Sequence, residues 1–351
     1  MGWHFYGMNS FNVGFGSLLF FFSVSLFSAL ALGGDGLQWE IVNRVVLGKD
    51  SPSITLTSAR ALKDARLNLV RNDGEARELR FGPILAGAKQ KVILKAGEGR
   101  WDYKGTLRIV PEGGELREFP VSFNVIVAPP LQLEVPYDRL EVKKGRLELR
   151  LSRPGASCEY VVLKEGQGPL RGREEFKEAA ARDWLTLDWG TPAREDVVLK
   201  IAIECLDVDG FSNGIELFPW QIEVPHEDVN FDTSSYEVLL AEVPKVEAAA
   251  LQIVRTVRRY GAVLSLKLFV SGHTDSVGKK GANQKLSEKR AAVIGRELIR
   301  AGVQIPVYYY GYGEDGQGVV TPDETASPAN RRVRYILAAE APEKVQWRPL
   351  K

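Results

Sequence analysis

Residues 271–290 read "SGHTDSVGKKGANQKLSEKR". The stretch begins at the end of "LSLKLFVSG", an apolar run that reads as a buried strand. It leads into "NQKLSEKRAAVIGRELIRAG", where Leu286, Val293, Ile294 and Leu298 recur at helical spacing and Gly302 marks the exit. Asp275 therefore stands at a strand tip, and Arg290 a turn or so into a helix. On one straight helix these two positions would lie about 22 Å apart, too far to share a small guest. Gly278 and Gly281 allow the chain to bend, and Asn283 or Ser287 offers a side-chain cap for the helix that doubles back. That topology brings a carboxylate and a guanidinium to one pocket.

An anion and a cation a ligand length apart suit a zwitterion. The ammonium of an amino acid would face Asp275, and its carboxylate Arg290. Arginine grips a carboxylate with two parallel N–H groups, which lysine does not. Each charge-assisted bond is worth about 1.5–3 kcal/mol. The competing reading is an internal Asp275–Arg290 salt bridge that only ties loop to helix. Spacing alone leaves both open.

The surrounding chain, from about Val229, alternates strands and helices. "EDVNFD" (227–232) is expected as a short strand. "PKVEAAALQIVRTVRRYG" (244–261) places Val246, Ala250, Ile253, Val254 and Val257 on one helical face. "VYYYGYGE" (307–314) and "RRVRYILAA" (331–339) read as strands. This pattern predicts a mixed sheet with helices packed on a face.

Three motifs in order, "SGHTDSVGKKGANQKLSEKRAAVIGREL", "YYGYGE" and "NRRVRYIL", resemble the OmpA-like peptidoglycan-binding domain. The resemblance covers about Val229 to Ala339. It implies a βαβα unit with closing strands that binds the diaminopimelate of peptidoglycan stem peptides without covalent chemistry. By the same resemblance, the family's key acid falls on Asp275 and its key arginine on Arg290. Thr274 and Asn283 match ligand-contacting positions. Phe231 and Asp232 match a segment that approaches the ligand through its backbone. Asn330, Arg331 and Arg332 match the closing motif, and at least one of the two arginines is expected to support the site. "GQGVVTPDETASPA" is a loose version of the family's wording before that motif.

Upstream, residues 37–128 are strand-rich: "SITLTS", "ARLNLVR", "QKVILKA", "GTLRIV" and "PVSFNVIV" alternate apolar and polar, with turn material such as "NDGE" between them. Residues 131–225, beyond Ala128-Pro129-Pro130, repeat that grammar, with "GREEFKEAAARDW" (172–184) as a candidate short helix. The fold class expected is two all-β, immunoglobulin-like sandwich domains followed by an α/β OmpA-like βαβαβ domain at 229–340 and a tail at 341–351. An outer-membrane barrel is the lesser alternative, because the strands read too short and aromatic girdles are missing. "DVDGFSNG" (207–214) resembles part of a calcium loop, but it lacks the twelfth-position glutamate and reads better as a surface turn. Cys158 and Cys205 both lie in strand-like runs. Either they form a disulfide joining two sheets, as an oxidising compartment would allow, or they are buried free thiols.

Residues 1–33 form a signal peptide or membrane anchor in this reading. Val13 to Leu32 carries no charge, and Ala29-Leu30-Ala31 fits signal-peptidase cleavage. The segment has no preceding lysine or arginine, which departs from the usual signal pattern. Contact with a membrane is expected only through this segment, if it is retained.

A net charge of +1 argues against a nucleic-acid partner. Three histidines and two cysteines are too few for a multi-ligand metal site. No cofactor is expected. The function expected is non-catalytic tethering of an envelope component to the cell wall, in the periplasm or at the outer membrane of a Gram-negative bacterium, with protein partners for the β domains. The alternatives are a wall-acting enzyme, with His273 near Asp275 as its candidate acid–base pair although His273 reads as a polar loop residue, and a stator or secretion subunit.

Overall fold

The computed structural model describes residues 27–32, 36–193, 196–232, 235–342 and 345–350. Most of the expected signal or anchor segment (residues 1–26 and 33) therefore lies outside the described residues, while the backbone of Phe27–Leu32 is a strand antiparallel to Leu37–Val42. Among the described residues no helix is long and apolar enough to cross a membrane. The chain divides into two compact units. Of the described residues, one takes in those within 27–160, 172–191 and 203–215; the other takes in those within 161–171, 192–202 and 216–350.

In the first unit, period-two patterning does what the sequence promises. One four-stranded antiparallel sheet contains Leu37–Val42 and Ser53–Ser58. A five-stranded sheet contains Leu62–Arg71, Gly99–Pro111 and Arg117–Ala128. Leu37, Trp39, Ile41, Ile54 and Leu56 from the first sheet meet Leu67, Leu69, Tyr103, Leu107 and Val125 from the second in one core. Two sheets packed on a shared apolar layer form a sandwich. The longer strands run to 12 and 13 residues, more than their sequence runs implied, because the alternation continues through flanking charged positions.

Two expectations for the second β segment are corrected and one holds. "GREEFKEAAARDW" forms no helix: Leu170–Glu175 is a strand and the rest is irregular. Gly172 lies against Tyr160, whose ring leaves no space for a side chain there. Cys158 and Cys205 are disulfide-bonded. They sit on Gly155–Lys164 and Val198–Asp207, neighbouring strands of the same sheet, so the bond staples one sheet and does not join two. At 207–214 the surface-turn reading holds. The Asp207 carboxylate accepts the N–H groups of Asp209 and Phe211 and pairs with Arg153 at 2.6 Å, so its oxygens are committed to the turn.

The second unit carries the five-stranded sheet that builds the site. In chain order its elements are β1 (Gln221–Glu223), α1 (Val243–Tyr260), β2 (Lys267–His273), α2 (Lys280–Arg300), β3 (Val307–Gly313), β4 (Val333–Ala338) and β5 (Arg348–Pro349). The spatial order is β1-β4-β2-β3-β5. β2 and β3 are parallel, joined through α2, and the other pairs are antiparallel.

The helix-facing rows Leu268/Val270, Val307 and Val333/Tyr335/Leu337 pack against Val246, Ala250 and Ile253 of α1 and Ala291, Ile294 and Leu298 of α2. The expected strand at 227–232 does not form. Pro225 lacks a backbone donor and ends β1, and beyond it the Asn230 N–H bonds the Glu242 carboxylate at 3.0 Å and not a strand. The tail is also more than a tail. Arg348–Pro349 adds an edge strand to β3, and Trp347 packs on Phe269 and Tyr310.

Candidate functional site

α2 begins at Lys280, with Lys279 as its N-cap and no side-chain cap. Asn283 and Ser287 therefore do not cap it; both lie inside the helix and are buried. Their work is lateral. Ser287 Oγ accepts the Gly313 N–H at 2.9 Å, fastening the helix to the end of β3. Asn283 Nδ2 donates to the Val277 carbonyl at 3.2 Å and to Glu314 Oε2 at 2.7 Å, spanning the strand-to-helix loop.

The helix comes this close because the strands opposite it are glycine. A Cβ on Gly272 would stand 2.1 Å from the Ser287 carbonyl oxygen, and one on Gly311 would stand 2.4 Å from the Glu288 nitrogen. Gly278 turns the loop at φ +96°, a conformation that favours glycine. The "SG" of β2 and the "GYG" of β3 thus set the height at which Arg290 leaves its helix.

Arg290 is 6% exposed. Its Nε–H donates to the Ser235 carbonyl at 2.9 Å and its Nη2–H to the Asp232 carbonyl at 3.3 Å. Its guanidinium lies over the Phe231 ring, 4.7 Å from the centroid. Among the described residues no carboxylate pairs with it and its Nη1 makes no hydrogen bond. Burial is the main force pushing its pKa down; Arg331 adds to that and Asp275 opposes it.

Asp275 is 7% exposed. Its Oδ2 accepts Arg331 Nη1 at 2.7 Å and the Ser327 N–H at 3.3 Å, while Oδ1 has no hydrogen-bond donor among the described residues. The internal Asp275–Arg290 bridge is therefore absent, and the acid's ion pair goes to Arg331 instead. Thr274 is buried beside it, with its N–H on the Gly313 carbonyl at 2.9 Å and no partner for its Oγ1.

The closing motif splits by role. Asn330 is fully buried, accepts the N–H groups of Gly318 and Val319, and donates to the Val319 carbonyl. Arg331 points to Asp275. Arg332 turns the other way, donating to the Gly316 carbonyl at 3.0 Å. His273 is the last residue of β2, buried and stacked on Tyr312, and is no loop residue as the sequence implied. Desolvation, with help from Arg332, lowers its pKa to about 4, so it is neutral at pH 7.

The structure thus brings Phe231 and Asp232 to Arg290, and Arg331 to Asp275 beside Thr274, with the charges of Asp275 and Arg331 acting on Arg290. Sequence reasoning missed Ser235 and Ser327, which contribute only backbone atoms. Backbone atoms leave no residue-type signal.

Residues 231–333 match the OmpA family model. They form an OmpA-family domain. Over 73 residues the chain is 38% identical to Outer membrane porin F of Pseudomonas fluorescens, covering 20% of this chain and 22% of that protein. The chain therefore spans about a fifth of the length of that relative. Among solved structures, the peptidoglycan-associated lipoprotein of Burkholderia pseudomallei is similar at 23% identity and a TM-score of 0.27, covering 31% of this chain and 88% of that one. The C-terminal domain of Helicobacter pylori MotB is similar at 19% identity and a TM-score of 0.27, covering 33% and 87%. The match of the OmpA family begins at Phe231, under the Arg290 guanidinium, and ends at Val333, directly after the two arginines.

Proposed function

We propose that the OmpA-family domain binds peptidoglycan without chemistry, through the diaminopimelate of the stem peptide, and so tethers an envelope component to the cell wall. The observation that carries this reading is the state of Arg290. A buried cation is costly unless an anion or several well-placed acceptors compensate it. Among the described residues the compensation is two carbonyl oxygens and an aromatic face, with one guanidinium nitrogen uncommitted. A ligand carboxylate completes it. Asp275 Oδ1, uncommitted in the same way, receives the ligand ammonium.

The outer-membrane name of the Pseudomonas fluorescens relative supports an envelope location, namely the periplasm or the outer membrane of a Gram-negative cell. The β segments at 37–128 and 131–225 act as spacers between membrane and wall or as docking modules for envelope proteins, with residues 1–33 as export signal or anchor.

The test is co-sedimentation of the full chain with purified murein sacculi. Asp275→Ala and Arg290→Ala should each lower affinity about 10- to 100-fold, the loss expected for one charge-assisted anchor. Undiminished sedimentation of both variants would refute the assignment. No muropeptide should be released from the sacculi in the same incubation.

A further inference from the structure

Two guanidinium groups and one carboxylate act on one another here. Arg331 holds Asp275 Oδ2, and its charge opposes that of Arg290. The carboxylate that would balance Arg290 is thus already claimed by another arginine. Of the five N–H donors of Arg331, only one on Nη1 is committed among the described residues, and its side chain is 44% exposed. It has both the reach and the spare donors to meet a guest while keeping its grip on Asp275. Arg332, turned toward Gly316, has no such access.

Resting on the wall-binding reading above, we propose that this cluster of two arginines and one carboxylate selects a diaminopimelate whose side-chain carboxylate is free against the same residue carrying a carboxamide there, and that Arg331 is the second cation reading that carboxylate. The guest ammonium takes the open Oδ1 of Asp275. The guest carboxylate lies between Arg290 Nη1 and the spare donors of Arg331. A carboxamide keeps one acceptor oxygen but loses the charge, and it presents an NH2 group to two cations. Hydrogen bonds between ionised partners are roughly twice as strong as those to neutral ones, and here two such bonds are weakened together.

The experiment is a calorimetric titration of the full chain with the soluble tripeptide L-Ala-γ-D-Glu-meso-diaminopimelate and with its side-chain carboxamide. The amide should bind at least about tenfold more weakly. Equal affinities would overturn the selectivity while leaving wall binding intact. Sedimentation with sacculi without binding of the acid tripeptide would place recognition elsewhere on the polymer and overturn it too. Loss of both would sink the wall-binding reading as well.

Arg331→Gln should narrow the acid-to-amide ratio to about threefold or less, since one of the two charged contacts is gone, and Arg331→Lys should recover part of it. If Arg331→Gln weakens both ligands equally and leaves the ratio unchanged, Arg331 only positions Asp275, and its part in the proposal fails.

Discussion

Asp275 and Arg290 do not pair with each other: the acid pairs with Arg331 at 2.7 Å, and the arginine is held by the carbonyls of Ser235 and Asp232. Among the described residues each group keeps one uncommitted polar atom, Oδ1 on the acid and Nη1 on the arginine. A pair locked to itself would have left neither atom for a guest.

The close approach of α2 to β2 is testable at Gly272. In Gly272→Ala the new Cβ would meet the Ser287 carbonyl at 2.1 Å, and backbone cannot yield cheaply. Urea unfolding should show a loss of about 1–3 kcal/mol, as for overpacking in a tight core. Sacculus binding should fall as well, because the clash displaces the helix that carries Arg290. Unchanged stability would mean that α2 adjusts freely.

Asn330 braces the 314–327 segment rather than any ligand. Asn330→Ala removes three hydrogen bonds from a fully buried position. A cost of about 2–3 kcal/mol is expected from the backbone groups left unpaired. Hydrogen exchange at Gly318 and Val319 should accelerate more than exchange in β2. Equal acceleration throughout the domain would point to a global effect instead.

Stability should fall on acidification because of His273. Its folded pKa, about 4, lies below its ordinary value of 6.5, so the unfolded chain takes up the proton first. The stability that neutral His273 contributes is fully present above pH 6.5 and is lost as pH falls through that value toward 4, by up to about 3 kcal/mol. Urea midpoints at pH 7 and pH 4.5 measure this. In His273→Gln that part of the slope should vanish; an identical slope in the variant would assign the pH dependence to other groups.

Reducing the Cys158–Cys205 bond should destabilise its own unit and leave wall binding unchanged. The closed loop spans 47 positions, for which about 2–4 kcal/mol is typical. Thermal melts with and without reductant, beside sedimentation of the reduced chain, separate the two effects. Loss of sacculus binding on reduction would contradict this prediction.

Much of the C-terminal fold was legible because its signals are local. Periodicity marked α1, α2 and the three longer strands, and glycines marked the turn after Asp275. The errors came where the outcome depends on what lies across space. The run 227–232 has strand composition but follows Pro225 and spends an N–H on Glu242, so β1 forms earlier. Asn283 and Ser287 have cap chemistry, yet α2 starts before them and turns them toward Glu314 and Gly313.

By itself, the sequence determined that a carboxylate would follow a strand and an arginine would sit in the next helix. Motif wording, spacing and glycine placement suffice for that, since each acts over a few neighbouring residues. Only the tertiary structure decided which arginine pairs with Asp275, which backbone carbonyls hold Arg290, and that the two key charges stay apart. Arg331 and Arg332 are adjacent and chemically identical in the sequence. Their side chains diverge because one reaches Asp275 and the other the Gly316 carbonyl, groups brought near only when the sheet and the preceding loop have closed.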